Sequence, residues 1–299
     1  MSEVANIVEN VDCCIVGGGP AGAMLALLLA RKGINVTLLE KHMDFDREFR
    51  GDTVHPSTMA LLEQLGLVEK VLQLRHTTLS SITLPTPGGS TMTLDIEKPL
   101  KRLKVKYPFI AFLNRFEYWQ VAYVIPKGTY QQLHAGGLEA LRKSVADLMP
   151  SMADRVDALQ EWKQVSLLSV ESNRLPRWHR PGLLLIGDAA HVMSPVGGVG
   201  INYAIQDAVV AANLLTAPLQ VGKVSDHDLG KVQRQRELPT RVIQALQAQA
   251  QNQVVKRALQ PGSGFLISRP LQLLFRLPFL RDIPVRLITL GLWSVHVAN

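Results

Sequence analysis

Cysteine is almost absent from this chain of 299 residues, and its two cysteines, Cys13 and Cys14, are adjacent. They lie in the apolar run 11–16, where successive side chains of a strand point to opposite faces, so a disulfide between them is not expected. Neither has the spacing of a metal ligand. We therefore predict two small core residues, no disulfide scaffold and no metal site, which fits a reducing cytoplasm.

Long apolar runs are also lacking. No segment reaches the roughly 18 uninterrupted apolar residues expected of a transmembrane helix. The first dozen residues include Glu3, Glu9 and Asp12 and lack the basic stretch and apolar run of a secretory signal. The sequence therefore predicts a cytoplasmic protein.

Aromatic residues make up only 6% of the chain, and no stripe interleaves them with basic residues, so a nucleic-acid partner is not expected. With 47% hydrophobic and 19% charged residues the composition is that of a globular protein. The formal net charge of +7 favours an anionic partner, such as a phosphorylated cofactor or an acidic membrane surface, without identifying it.

Glycine, by contrast, is concentrated in two regions. The first is GGGPAG at 17–22, which joins a short apolar run to the helical run AMLALLLA, and a second strand then ends at Glu40. This order, with the spacing G-x-G-x-x-G and an acidic residue about 20 positions on, predicts a dinucleotide-binding fold. Gly17 permits the turn, Gly19 lets the backbone approach a pyrophosphate, and Gly22 allows close helix packing. The motif alone leaves FAD and NAD as alternatives.

The second region is GDAAHVMSPVGGVG, which follows the apolar run LLLI at 183–186 and precedes a run suited to a packed helix from near Gly200. LLLI predicts a short buried strand. The glycines leave backbone bare for a flat or phosphorylated ligand beside the positive end of the helix dipole. Asp188 either contacts that ligand or caps the turn that follows it. We expect His191 to pack within the loop rather than to act as a base.

Three stretches together carry a family resemblance: GGGPAG with Glu40, REFRGDTVHPSTMALLEQLGL with Arg50, and GDAAHVMSPVGGVGINYAIQDA. They resemble the single-component FAD-dependent monooxygenases related to para-hydroxybenzoate hydroxylase and the ubiquinone-biosynthesis hydroxylases. The resemblance implies that the first glycine turn holds the ADP half of FAD, with Arg50 near the flavin and pyrophosphate. Asp188 would then bind the ribityl chain, and Arg115 would reach the FAD.

In the same resemblance the backbone of 195–202 lines the isoalloxazine. The implied cofactor-binding residues are Gly17, Gly19, Pro20, Ala21, Gly22, Glu40, Lys41, Arg50, Arg115, Gly187, Asp188, Pro195, Gly197, Gly198, Val199, Gly200, Ile201 and Asn202.

The implied activity is that of an NAD(P)H-dependent monooxygenase that hydroxylates a small aromatic or quinone-like molecule. The cofactor carries the chemistry in such enzymes, so no catalytic residue is assigned. Two alternatives stay open. One is an NAD-binding dehydrogenase that uses only the first glycine motif, and the other is a noncatalytic flavin-binding protein.

The expected fold class is α/β, with a Rossmann-like FAD-binding domain built from 8–75 and 175–220. A smaller β-rich substrate region is expected at 76–174, where alternating residues predict a hairpin and strands in YWQVAYVIP and VDALQEWKQVSLLSV. HAGGLEALRKSVADLM predicts an amphipathic helix. The remainder, 221–299, is expected to be helical, with a long helix over 231–260.

A central segment of the family is missing from this sequence. These enzymes resemble each other in a third motif, an Asp-Gly pair on a strand, and this chain contains no Asp-Gly pair. We hypothesise an internal deletion near Glu117 and Tyr118. Loss of a central strand would leave ladder hydrogen bonds and apolar faces without their partners, which is the reason for keeping the noncatalytic alternative.

The end of the chain mixes apolar residues and prolines with arginines at 269, 276, 281 and 286. Such a tail suits a peripheral contact with an anionic membrane face. Alternatively it packs on the protein body, or on a second subunit in a homo-oligomer.

Overall fold

The computed structural model of the chain describes residues 10–43, 53–85, 91–111, 114–115, 118–119, 121, 123–258 and 286–298. The described strands and helices are β1 (Cys13–Val16), α1 (Pro20–Arg31), β2 (Val36–Leu39), β3 (Thr53–Val54), α2 (Pro56–Gln64), α3 (Val68–Leu72), β4 (Thr77–Leu79), β5 (Ser81–Pro85), β6 (Thr91–Asp95), α4 (Glu97–Arg102), β7 (Phe109–Ala111), β8 (Asn114–Arg115), β9 (Tyr118–Trp119), α5 (Tyr130–Ala135), α6 (Gly137–Leu148), β10 (Asn173–Arg174), β11 (His179–Arg180), β12 (Leu183–Leu184), β13 (His191–Val192), α7 (Gly200–Gln220) and α8 (Asp226–Ala258).

The N-terminal unit has the predicted order of strand, glycine turn, helix and strand. β1 and β2 pair in parallel, with Cys13 opposite Val36 and Val16 opposite Leu39. Between them, α1 starts at Pro20, whose ring suits the first helical position. The helix buries one apolar face against the core, with its buried residues at helical spacing: Gly22, Met24, Leu25, Leu28 and Leu29. The α/β class is therefore confirmed for this unit.

The parallel sheet of this unit is small. Among the described residues, β1 and β2 pair only with each other, whereas parallel sheets are normally covered on both faces. Val16 is 83% exposed and Leu39 is 50% exposed. Cys13 is half-buried but Cys14 is exposed, so the prediction of two core cysteines was wrong for Cys14; both thiols are free. The apolar side chains at the ends of β1 and β2 therefore have little cover from the described part of the chain.

Helices α1 and α7 form the centre of the core and run parallel. At their C-terminal ends, the Gln220 side-chain amide donates to the Lys32 carbonyl at 3.2 Å. At their N-terminal ends both helices approach Gly187, since a Cβ placed there would lie 3.1 Å from Ala21 Cβ and 3.4 Å from Ala204 Cβ. Most of α7 is buried because its residues from Asn202 onward face other elements on nearly every side. The predicted helix from Gly200 is therefore confirmed.

Helix α8 packs across α7 and is the long helix predicted over 231–260, although it already begins at Asp226. Leu229 and Val232 join the main core, while Ile243 packs with Val199 and Tyr203 in a second cluster. α8 therefore lies against the second glycine region as well as against the core.

The region 76–174 contains helices as well as strands. β5 and β6 form the predicted hairpin, with Ser81 opposite Asp95, and β7 pairs with β3 and β4. The amphipathic helix is present but is broken into α5 and α6 at Gly137, whose φ is +83°. The two further strands were predicted wrongly. Among the described residues of YWQVAYVIP, only Tyr118 and Trp119 are paired, and 156–170 has 3-10 turns without a strand.

The strand predicted for LLLI at 183–186 is also different from expectation. Only Leu183 and Leu184 are paired, in an antiparallel hairpin with β11, and Leu183 is 51% exposed. A buried strand needs neighbouring strands on both sides to satisfy its backbone groups, and β12 has one short neighbour. The apolar run is therefore a short hairpin strand rather than part of the parallel sheet.

The end of the chain is described for 286–298, and it packs on the protein body. The Ala298 N–H donates to Asn213 Oδ1 at 2.9 Å, and the Val297 N–H donates to Gln64 Oε1 at 2.8 Å. Three of the four tail arginines, Arg269, Arg276 and Arg281, lie outside the described residues. Within the described part of the chain, no helix combines the length and apolarity needed to span a bilayer.

Candidate functional site

The first glycine turn shows why its glycines are needed. A Cβ on Gly22 would lie 2.0 Å from the carbonyl oxygen of Gly17, a distance that no side chain can occupy. Gly17 has φ +102°, and its N–H donates to the Leu39 carbonyl at 2.7 Å, which ties the turn to the end of β2. The turn is thus held against both β2 and the start of α1, as the motif predicts.

Glu40 closes the same turn from the end of β2. Its Oε2 accepts the Gly18 N–H at 2.6 Å, and its Oε1 accepts the His42 N–H at 3.0 Å. The carboxylate therefore lies directly beside the glycine backbone. Lys41 lies between Glu40 and His42, the residue whose N–H the carboxylate also accepts. The sequence predicted that Glu40 would be near the turn, and it did not predict the hydrogen bond to Gly18.

The second glycine region meets the first at Gly187. This residue is buried at φ +59° between Ala21 of α1 and Ala204 of α7. The N-terminal ends of two parallel helices therefore converge on one point, and neither helix has an acidic residue in its first turn. Unpaired N–H groups and two positive dipole ends form an environment suited to anionic groups.

The loop before α7 is anchored by Asn202, which is 1% exposed. Its side-chain amide donates to the Thr53 and Gly198 carbonyls at 3.1 and 2.9 Å, and its Oδ1 accepts from the His55 N–H and the Thr58 hydroxyl, both at 2.8 Å. An asparagine that makes four hydrogen bonds inside the protein has little capacity left for a ligand. Asn202 therefore positions the loop through its side chain.

Val199 and Gly198 of the same loop also pack against the protein interior. Val199 points into the second cluster with Tyr203 and Ile243 and is 1% exposed. Gly198, at φ +59°, lies so close to Thr53 that a Cβ would be 2.9 Å from its Cβ. Pro195 and Gly197 of this loop are exposed. That the loop backbone faces the cofactor stays a prediction.

A buried ionic cluster lies behind Gly187, and sequence reasoning did not find it. Asp207, with 0% exposure, accepts from the Arg236 Nε at 2.7 Å and from the His191 Nε2 at 2.6 Å. Burial alone would raise the pKa of Asp207, but the charge of Arg236 and the His191 hydrogen bond outweigh it and hold that pKa below its usual range. The same carboxylate accepts the Gly187 N–H at 3.0 Å. The available signal was the single charged residue in the mostly apolar run AIQDAVVAANLL.

His55 connects the end of the chain to the glycine loop. Its Nδ1 lies 2.8 Å from the Ile288 carbonyl and its Nε2 lies 3.0 Å from the Gly197 carbonyl. The ring is 1% exposed and packs edge-on against Phe109 at 4.9 Å. Burial lowers the pKa of His55, although the surrounding carbonyl oxygens oppose that effect.

Lowering the pH is expected to destabilise the protein partly through His55. Because its pKa is lower in the folded chain than its ordinary value of 6.5, the unfolded chain binds a proton that the folded chain does not. The contribution of His55 to the free energy of unfolding is complete above about pH 6.5 and is lost progressively as the pH falls below that value. Urea unfolding between about pH 7.5 and 5 should give a shallower pH dependence for His55→Gln than for the unsubstituted protein. His227→Gln, at an exposed histidine, is the control, and equal slopes for all three proteins would contradict the prediction.

The remaining predicted site residues with side chains that could contact FAD are Asp188, Arg115 and Arg50. Asp188 is exposed in the 3-10 turn after Gly187, and the residue at the N-cap of that turn is Ile186, so capping is not the role of Asp188. Arg115 lies in β8 of the short β8–β9 hairpin. Arg50 lies outside the described residues. Asp188 directly follows Gly187 and is exposed, and its contact with the cofactor stays a prediction.

These features fit an FAD molecule. The first turn offers a backbone cradle that a Cβ at residue 22 would fill, and the start of α1 offers N–H groups for a pyrophosphate. The converging start of α7 offers a positive dipole end at the glycine loop. Among the described residues no group of histidines, cysteines and carboxylates could hold a metal ion, so the nearby acidic residues do not form a metal site.

Comparison with known proteins identifies the family. A family model described as an FAD binding domain matches residues 10–84 and 106–245, which include both glycine regions and more than half of the chain. The chain belongs to this FAD-binding family. FAD is therefore its cofactor, and the chain is an FAD-dependent monooxygenase, as several of its relatives are named.

Individual proteins similar to this FAD-binding chain include one enzyme and two solved structures. The 6-methylpretetramide 4-monooxygenase of Streptomyces rimosus is 28% identical over 374 aligned positions, which cover 87% of this chain and 89% of the relative. Klebsiella pneumoniae HpxO, solved with FAD and uric acid, has a TM-score of 0.64 at 12% identity, covering 96% of this chain and 97% of its own. P. aeruginosa PqsL, solved with 2-aminobenzoylacetate, has a TM-score of 0.63 at 16% identity, covering 80% and 95%. The two structural matches bear on the fold alone.

The alignment with the Streptomyces relative also supports the missing segment. It is 374 positions long and therefore exceeds the 299 residues of this FAD-binding chain by 75, so at least 75 of its positions have no residue of this chain opposite them. The small sheet and the exposed Val16 and Leu39 agree with such a loss. The predicted junction near Glu117 and Tyr118 falls in the β8–β9 hairpin, and residues 116–117 lie outside the described residues.

Proposed function

We propose that this protein is an NAD(P)H-dependent flavin monooxygenase that hydroxylates a small aromatic or quinone-like molecule. The observation that carries the proposal is the convergence of α1 and α7 at Gly187, where a Cβ would lie 3.1 Å from Ala21 and 3.4 Å from Ala204. Two glycine turns that meet can hold opposite halves of one extended dinucleotide. The FAD-binding unit would be formed by 8–75 and 175–220, since buried residues of α1, α2 and α7 pack together in the main core.

Each half of the site has a specific task in this proposal. The 17–22 turn binds the pyrophosphate through backbone N–H groups, and Glu40 orients the turn and accepts hydrogen bonds from the ribose. Asp188 accepts hydrogen bonds from the ribityl chain. The backbone of 195–202 lies along the isoalloxazine. Arg50 and Arg115 are proposed to contact the FAD as the family resemblance implies.

The chemistry needed from the chain is electrostatic. FAD, when bound, transfers electrons from NAD(P)H and activates O₂ for insertion of one oxygen atom into an electron-rich ring. The N-terminal end of α7 stabilises negative charge that develops on the reduced ring system, because its positive dipole end and unpaired N–H groups are fixed in advance. Asn202 and Gly198 keep that helix end in place through their contacts with Thr53.

The substrate class is supported by what the relatives' names and titles state. The Streptomyces enzyme is named for 6-methylpretetramide, and a p-nitrophenol 4-monooxygenase from Pseudomonas putida has a TM-score of 0.59 with this chain. Both names describe ring compounds. The chain tail is proposed to pack on the body rather than on a membrane, since 286–298 already contacts α2 and α7.

A second candidate is a flavin-binding protein without hydroxylase activity. It is favoured by the two-stranded sheet, by the 83% exposure of Val16 and by the 75 or more alignment positions that this chain lacks. A monooxygenase needs a site that excludes water around the reacting ring, and strands that are missing cannot provide its walls. FAD binding without turnover is the property that distinguishes this candidate.

The test begins with the absorption spectrum of the purified protein and identification of any flavin released on denaturation. Oxygen consumption with NADH or NADPH is then measured against a panel of phenols and quinones. Hydroxylated product supports the first proposal, and bound FAD without product supports the second. A folded protein that binds NAD(P)H and no FAD at any concentration would refute both.

Asp188→Ala should weaken FAD retention about tenfold, because the ribityl chain loses a charged hydrogen-bond acceptor. The dissociation constant is measured by titrating the flavin-free protein with FAD. Asp157→Ala is the matched control, since Asp157 is also an exposed aspartate in a 3-10 turn but lies far along the chain from either glycine region. Equal affinities for the two variants would remove the role assigned to Asp188.

A further inference from the structure

We propose that Asp207 is a positioning residue for FAD, which acts by holding the Gly187 backbone N–H and so fixes the turn that carries Asp188. Asp207 itself lies in the interior and is 0% exposed, so it acts through the turn. The inference rests on the proposed placement of FAD at the Gly187 turn. It gives a role to a residue that lies 20 positions beyond Gly187, at the end of the stretch GDAAHVMSPVGGVGINYAIQDA and outside both glycine turns.

The geometry divides the carboxylate of Asp207 into two halves with different tasks. Its Oδ2 accepts the Gly187 N–H at 3.0 Å and the His191 Nε2 at 2.6 Å. Its Oδ1 accepts the Arg236 Nε at 2.7 Å. One oxygen therefore faces the cofactor turn and the other faces α8, so the turn is tied to a long helix that packs on the core.

The turn needs such an anchor because of its backbone conformation. Gly187 has φ +59°, and an added Cβ would lie 3.1 Å from Ala21 Cβ, which is closer than ordinary van der Waals contact, and 3.4 Å from Ala204 Cβ. A small rotation of the Gly187 peptide would move Asp188, the next residue, away from the converging helix ends. The hydrogen bond to Asp207 is directional, so it opposes that rotation more than apolar packing would.

Arg236 explains how a buried carboxylate can serve beside an anionic cofactor. A lone negative charge behind the two helix ends would repel the pyrophosphate and reduced flavin, and would be costly to bury. The ion pair with Arg236 neutralises that charge, and the guanidinium also lies 5.2 Å from the centre of the Tyr203 ring. The cluster can thus supply an acceptor to Gly187 without adding net negative charge to the site.

The test compares two double variants that differ only at the acceptor. Asp207→Asn with Arg236→Met keeps an amide oxygen that can face Gly187 and His191. Asp207→Leu with Arg236→Met has nearly the same shape and no acceptor. Neither leaves an unpaired buried charge, so both avoid the main cost of breaking a buried ion pair. FAD dissociation constants and urea unfolding are measured for both and for the unsubstituted protein.

We expect the Asn/Met variant to bind FAD within about threefold of the unsubstituted protein and the Leu/Met variant to bind about tenfold more weakly, with the gap remaining when only folded protein is counted. The visible circular dichroism of bound FAD should also change in the Leu/Met variant, because the flavin's surroundings shift. Asp226→Asn and Asp226→Leu serve as controls, since Asp226 also pairs with a histidine and an arginine, His179 and Arg177, but at the surface.

Equal FAD affinity in the Asn/Met and Leu/Met variants would overturn the inference, as would a loss explained wholly by the unfolded fraction. An equal weakening in both double variants would do the same, because it would mean that the charge and not the acceptor matters. If the unsubstituted protein binds no FAD, the proposed function fails first and this inference fails with it. If the unsubstituted protein binds FAD and the substitutions do not change its affinity, only this inference is refuted.

Discussion

Gly22→Ala should weaken FAD binding by about 100-fold. The added Cβ would lie 2.0 Å from the Gly17 carbonyl oxygen and 3.2 Å from the Ile15 side chain, so the glycine turn or the start of α1 must move. The turn cannot move freely, because the Gly17 N–H is bonded to the Leu39 carbonyl at 2.7 Å. A displacement that relieves the clash costs about 2–3 kcal/mol, which matches the expected loss of affinity. Titration of flavin-free protein with FAD measures it.

Gly136→Ala is the control for this prediction. Gly136 has φ −68°, which any residue adopts, and the nearest atom to an added Cβ is the Leu133 carbonyl oxygen at 3.4 Å. This variant should bind FAD as the unsubstituted protein does. Wild-type affinity in Gly22→Ala, with circular dichroism that shows a folded protein, would mean that the first glycine turn does not hold the cofactor.

Trp178→Ala should lower the free energy of unfolding by about 4 kcal/mol, the cost typical of removing a fully buried aromatic ring. Trp178 is 0% exposed, its indole N–H donates to the Leu175 carbonyl at 3.1 Å, and its ring centre lies 4.9 Å from that of His191. Its backbone N–H donates to Gln233 Oε1 of α8 at 2.9 Å. The cavity would therefore open beside the ionic cluster and between the second glycine region and α8.

Urea unfolding monitored by circular dichroism measures this effect, with Trp293→Ala as the matched control. Trp293 is 47% exposed, so its removal should cost less than about 1 kcal/mol. Similar losses for the two tryptophan variants would show that Trp178 is not part of the cooperative core. A large loss for Trp178→Ala without any change in FAD affinity of the folded fraction would separate its structural role from that of Asp207.

The wrong strand predictions have one physical cause. The patterns at 118–126 and 156–170 have the alternation of strands, and LLLI has the composition of a buried strand. A strand is stable, however, only when a partner satisfies its backbone groups. The sheet that would accept them is reduced to β1 and β2 among the described residues. Alternation along the chain reports which faces are apolar, and it does not report whether a neighbouring strand exists.

The local parts of the site were predictable because each is decided over a few residues. The turn at 17–22 needs glycine where a Cβ would strike the chain's own backbone, and α7 begins where the glycine loop ends. The contribution of Asp207 was not predictable in the same way. The sequence shows Asp207 as an acidic residue in a mostly apolar helix. Its partners Gly187, His191 and Arg236, however, come from three separate elements.

The sequence by itself determined the two glycine turns, the helices that start at them and the family to which they belong, since these follow from side-chain size and backbone conformation within short stretches. Only the tertiary structure decided that the turns meet at Gly187 and that the Asn202 side chain forms hydrogen bonds with Thr53 and His55. It also decided that the end of the chain contacts His55. Asn202 and His55 are 147 positions apart, and contacts over such separations depend on how all the intervening elements pack.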